Sequence, residues 1–106
     1  MSLKKYVYFS DVGVAATGLT PSFSSLITAT NGTDKSASAP TISEVGGGWY
    51  TFSVTMGTAP WDVPTEDLLG VIDGGATLAD TDRYQDCAIT KSDLVQNQAN
   101  NEVYLT

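Results

Sequence analysis

The chain has 106 residues, of which 12 are acidic and five basic for a net charge of -7, with 42% apolar and 16% charged residues, one cysteine and no histidine. That length supports one hydrophobic core, and that apolar share is too high for wholesale disorder. The negative charge repels phosphate backbones and anionic lipid, so no nucleic acid and no membrane is expected as a partner, and no window reaches the roughly 20 apolar residues of a membrane span.

In chain order, the first predicted strand covers Leu3 to Ser10, with Val7 and Phe9 facing one way and Tyr6 and Tyr8 the other. Both faces are partly apolar, which predicts that each is covered. Lys4 and Lys5 are not followed by an apolar run, so no secretory leader is expected. Residues 13–21 are small and turn-rich, and Pro21 closes them by fixing its own φ and pushing Thr20 toward extended geometry. A second strand is read over Ser22 to Thr30, with Phe23, Ile27 and Ala29 on one parity. Asn31-Gly32 then signals a tight turn, and residues 33–40 form a polar loop or a weak edge strand.

The stretch from Thr41 to Met56 carries the clearest pattern. Tyr50, Phe52, Val54 and Met56 alternate with Thr51, Ser53 and Thr55, the period of a strand with one buried and one wet face. Gly46-Gly47-Gly48 joins it to the preceding Ile42 to Val45 as a hairpin that needs positive φ at more than one position. The same glycines do not read as a phosphate loop, because a strand follows them and the Lys-Ser/Thr ending is missing. Residues 57–67 hold two prolines and are read as a loop with a restricted path. Leu68 to Ile72 is a continuous apolar run of the kind found in strands covered on both sides. Residues 76–83 connect, with room for a helical turn, to a last strand over Tyr84 to Lys91. The remainder is rich in Asn and Gln and ends in the strand-like Glu102-Val-Tyr-Leu-Thr106, either an added edge strand or an arm reaching a neighbouring subunit.

Six to seven short strands separated by turn signals, without an amphipathic helix of about 10 residues, indicate an all-β sandwich, with a small barrel as the alternative. The sandwich is assigned to residues 1–91 and the arm or edge strand to residues 92–106.

The candidate sites are few. Without histidine the chain lacks the commonest general base, and Cys87 and the serines lack their usual activating partner, so no catalytic residue is assigned and no enzyme is expected. Cys87 shares a face with Ile89 and reads as a small buried hydrophobe; as the sole cysteine it can form no internal disulfide. Asp73, Asp80, Asp82 and Asp86 could converge from neighbouring loops on a hard cation, which leaves calcium as the one cofactor in view, although their spacing does not follow the helical calcium loop. Trp49 and Trp61 are candidates for a contact surface, and Val103, Tyr104 and Leu105 for contacts made by the arm. Trp49 lies on the polar parity of its strand, beside Thr51 and Ser53, where a large ring needs a cover: the rest of its own chain, a partner subunit or a sugar.

The order of motifs T-G-L-T-P-S-F (residues 17–23), A-P-T-I-S-E-V-G-G-G-W-Y-T-F (39–52), L-L-G-V-I-D-G-G (68–75) and D-R-Y (82–84) resembles small immunoglobulin-like or transthyretin-like β-sandwich domains of tailed-bacteriophage virion proteins, of the decoration, neck or tail-fibre type. The resemblance implies an immunoglobulin-like sandwich of about seven strands and a non-enzymatic structural role. It also implies a homo-oligomer that contacts other virion proteins, assembled in the host cytoplasm and carried on the extracellular particle. A carbohydrate-binding module using exposed tryptophans is the alternative.

Overall fold

The structure, a computed structural model, describes residues 2–55 and 67–90. It is an all-β, sandwich-like fold built from three antiparallel sheets. Strand β1 (Ser2–Tyr8) leads directly into a ribbon of two short strands, β2 (Ser10–Asp11) and β3 (Val14–Ala15). Strand β4 (Ser22–Thr28), a 3-10 turn (Ser36–Ser38) and the hairpin β5 (Ser43–Gly46) and β6 (Trp49–Thr55) follow. The chain closes with β7 (Leu68–Asp73), one helical turn α1 (Asp80–Arg83) and β8 (Tyr84–Ile89). The first sheet has the order β1-β6-β5, the second β4-β7-β8, and β2-β3 stands apart as a ribbon.

Alternation makes the two larger sheets two-faced. Val7, Tyr50, Phe52 and Val54 of the first sheet and Leu26, Leu68, Ile72 and Ile89 of the second fill the space between them, closed by Phe9, Ala16 and Leu78. Phe23 and Phe52 meet edge to face at 5.1 Å, as do Phe9 and Tyr50 at 5.8 Å, geometries that favour aromatic pairs beyond the area they bury. Thr28 is the one buried polar side chain among the described residues. Its hydroxyl donates to Asn31 Oδ1 at 2.6 Å and accepts the Thr33 amide at 3.1 Å, so the turn predicted at Asn31-Gly32 satisfies it locally.

Several expectations need correction. The residues of β4 do not keep one parity from Phe23 through Ile27. Ser24 is an extra residue between the pairs Phe23 with Ile72 and Ser25 with Val71, and its hydroxyl donates to the Val71 carbonyl. This bulge reverses the alternation, so Phe23 joins Leu26 and Thr28 on the inner side while Ile27 turns outward. The run Leu68 to Ile72 is not covered on both sides by the described residues, because Leu69 is 43% exposed. The outer face of β1 is likewise open at Tyr6 and Tyr8. The turn-rich residues 13–21 contain a strand that composition did not reveal. In β2-β3 the two-residue loop is Val12-Gly13, with φ of 50° and 82°, the twist that joins antiparallel strands tightly.

The hairpin at the glycines is as expected. Gly46 pairs with Trp49, and Gly47 and Gly48 between them take φ of 61° and 90°. Gly48 has a second reason to be glycine: a Cβ there would lie 2.7 Å from a Tyr8 ring carbon and 2.9 Å from the Phe9 carbonyl oxygen. The Phe9 amide donates to the Gly48 carbonyl at 2.9 Å. This close approach ties the hairpin turn to the end of β1 and to the β2-β3 ribbon.

Candidate interaction surface

On the outer face of the first sheet the register places Tyr8 opposite Trp49 and Tyr6 opposite Thr51. Tyr8 and Trp49 pack with ring centroids 5.1 Å apart, tilted by 53°. Even with that contact Trp49 is 48% exposed, and Tyr6 is more exposed still. The cover that Trp49 was expected to need is therefore given in part by Tyr8, and the rest of the ring faces out past the described residues. A cross-strand aromatic pair contributes up to about 1 kcal/mol to sheet stability, so Tyr8 and Trp49 also hold β1 to β6.

The same end of the molecule exposes more apolar surface. Val45, the residue bulged out of register between Glu44 and Gly46, is exposed. So are Val12 and Val14 on the β2-β3 ribbon, whose Ala15 side chain lies against Gly48. Val12 is 82% exposed and holds φ of 50°, a backbone state that costs a β-branched residue about 1 to 2 kcal/mol. Its amide donates to Asp82 Oδ2 at 3.1 Å, which pins the strained turn to α1.

The four carboxylates considered for a cation are not gathered. Asp73 accepts from Arg83 Nε at 2.7 Å and Arg83 Nη2 at 3.0 Å, and from the Gly75 amide at 2.8 Å. The Arg83 guanidinium, with help from the Gly75 amide, holds the Asp73 carboxyl below the usual range and raises Arg83 in turn. Asp82 is used on Val12, Asp80 sits in the first turn of α1, and Asp86 stands opposite Val71 on the outer face of the second sheet. Among the described residues no three acidic, Cys or His side chains come together. The fan of carboxylates that the sequence brings to mind is thus resolved into one ion pair, one turn anchor and two surface charges.

Cys87 is a free thiol, half-buried on the inner side of β8 and packed against the core. Burial pushes its thiol up, which keeps the sulfur protonated and weakly nucleophilic at neutral pH. Trp61, Val103, Tyr104, Leu105 and the arm assigned to residues 92–106 lie outside the described residues. No signal in the sequence singled out Tyr8, Val12, Val14 or Val45 as surface residues; only the register and the two tight turns turn them outward together.

No protein-family model, curated protein or solved structure matches this chain.

Proposed function

We propose that this chain is a non-enzymatic structural component of a virion or a comparable surface assembly, working through protein contacts made by the surface around Trp49. The observation that carries the reading is the exposed pair of Tyr8 and Trp49, with Val12, Val14 and Val45 at the same end of the fold. Exposed aromatic and aliphatic side chains are what a protein interface desolvates at its centre. The strain at Val12 fits the same reading, since a side chain kept exposed at a conformational cost favours a contact made outside the domain. The resemblance to phage sandwich domains supplies the setting: a homo-oligomer or a part bound to other virion proteins.

The test is the solution size of the purified chain by light scattering, followed by microscopy, for the native sequence and for Trp49→Ser with Tyr8→Ser. Concentration-dependent assembly that disappears in the double variant, with the fold retained, is the expected result. A native chain that stays monomeric and associates with no capsid or tail protein encoded beside it overturns the reading.

The same exposed rings support carbohydrate binding as a second reading, in which an indole stacks on a sugar face. Their geometry favours the first. The 53° tilt keeps the two rings from forming one flat platform. Tryptophan fluorescence unchanged by sugars and a blank glycan array are the outcomes expected here.

A further inference from the structure

The turn that follows β4 contains the one asparagine of this chain that precedes a glycine, Asn31-Gly32. Such a pair is chemically unstable in a free chain. The Gly32 nitrogen, which no Cβ crowds, can attack the side-chain carbonyl carbon of Asn31 once solvent hydroxide has taken its proton. A new N–C bond closes a succinimide ring, the bond from that carbon to the side-chain nitrogen breaks, and the nitrogen leaves as ammonia with a proton from water. Water then opens the ring at either carbonyl. One product is aspartate; the other is isoaspartate, whose main chain is longer by a methylene.

The folded turn withholds both reacting groups. The Gly32 amide donates to the Thr28 carbonyl at 2.9 Å, so the nucleophile is engaged. Asn31 Oδ1 accepts the Thr28 hydroxyl at 2.6 Å, the Thr33 hydroxyl at 2.6 Å and the Thr33 amide at 3.2 Å. Ring closure has to release these bonds. Both residues are nevertheless exposed, and a Cβ on Gly32 would meet nothing within 4 Å. Hydrogen bonding, not cover, stands between this pair and its reaction with water.

We infer that Asn31 is a deamidation site gated by this turn, silent while Thr28 and Thr33 hold it and converted when the turn opens. The change is one-way. Aspartate can accept the same bonds, but isoaspartate lengthens the path from Thr28 to Thr33 and shifts everything paired beyond it. At stake are the Thr28 amide on the Thr33 carbonyl, the Ile27 and Asp34 bridge, and the Lys35 amide on the Leu26 carbonyl at 2.7 Å. The buried Thr28 hydroxyl loses its partners as well. An opening of this turn is thereby recorded covalently. The chemistry does not depend on the assembly reading, and either can fail alone.

The test keeps the full chain in warm, mildly alkaline buffer, native or unfolded in guanidinium, and follows residue 31 by peptide mapping and mass spectrometry. Conversion in the native chain is expected to be about tenfold slower or more, because only opened molecules react. Thr33→Val keeps the shape of an exposed side chain and removes one donor, and is expected to convert about fivefold faster than the native chain, the weight of one hydrogen bond. Tyr50→Phe, which loses bonds to Ala16 and Leu19 instead, is expected to convert at the native rate. Equal rates in folded and unfolded chain overturn the inference, as does a Tyr50→Phe chain as fast as Thr33→Val. The isolated isoaspartate form is expected to lose the hydrogen-exchange protection of the Lys35 amide, and retained protection refutes the covalent record.

Discussion

The hydroxyl of Tyr50, whose ring has no solvent exposure, donates to the Ala16 carbonyl at 2.9 Å and accepts the Leu19 amide at 3.1 Å. One side chain of β6 thereby fastens the connection between β3 and β4 to the middle of the sandwich, where no strand pairing holds that connection. Tyr50→Phe keeps the ring and its packing on Phe9 but strands a buried carbonyl and an amide, a loss of about 1 to 3 kcal/mol. Tyr50→Ala adds the cavity and reaches about 3 to 5 kcal/mol. Urea unfolding of the two variants measures both, and a Phe variant as stable as the native chain would show that water replaces the hydroxyl at no cost.

Asp73 and Arg83 join the end of β7 to the start of β8 through two parallel hydrogen bonds, and the folded Asp73 carboxyl sits below its usual range because of them. A carboxyl whose pKa is lower folded than unfolded stabilises the fold fully above its unfolded value, and that contribution fades as pH falls through the folded value. Asp73→Asn is therefore expected to lower the denaturation midpoint slightly at neutral pH. The difference from the native chain shrinks as the solution is acidified below the ordinary carboxylate range. Parallel midpoint curves for the two proteins across that range would assign the effect to lost packing instead.

Val12 occupies the first position of a two-residue hairpin loop at φ of 50°, where asparagine before glycine is the favoured pair. Val12→Asn relieves the strain and leaves the amide that binds Asp82 in place, so thermal unfolding is expected to show a gain of about 1 kcal/mol. The same change removes an exposed apolar contact. A variant both more stable and weaker in assembly is the signature of strain kept for binding; stability gained with assembly unchanged would leave the strain without that role.

Much of the fold is legible in the residues themselves, and the exceptions have local causes. Along β6 each side chain has the burial its parity predicts, Tyr50, Phe52 and Val54 inside and Trp49 and Ser53 outside, because no bulge interrupts the strand. In β4 a single inserted serine inverts the pattern, and Ser24 looks like any other polar strand residue in the sequence. Val12-Gly13 lacks the asparagine that marks a tight two-residue loop in a sequence, although the fold imposes one there. The carboxylates could be counted but not paired, since Arg83 reaches Asp73 only after the β7 to β8 connection folds back. Trp49 was visible as an anomaly of parity. Its neighbour Tyr8 became visible only through register, which brings together residues 41 positions apart (49 - 8).

Gly48 tests whether the hairpin turn positions the aromatic surface. Gly47 and Gly48 both hold positive φ, yet a Cβ at Gly47 meets nothing within 4 Å while one at Gly48 meets Tyr8, Phe9 and Ala15. Backbone strain alone costs an alanine at either position about 1 to 2 kcal/mol. At Gly48 the clash adds to it: the Tyr8 ring can swing aside, but the Phe9 carbonyl, which is backbone, cannot without loosening the β1 and β6 ladder. Gly48→Ala is therefore expected to cost about 2 to 4 kcal/mol in urea unfolding, the sum of strain and overpacking. It is also expected to change tryptophan emission and near-ultraviolet circular dichroism as Tyr8 leaves Trp49. Gly47→Ala is expected to lose only the strain and keep both spectra. Two alanine variants with equal stabilities and native spectra would mean that the turn sets only the chain reversal, with no part in presenting Trp49.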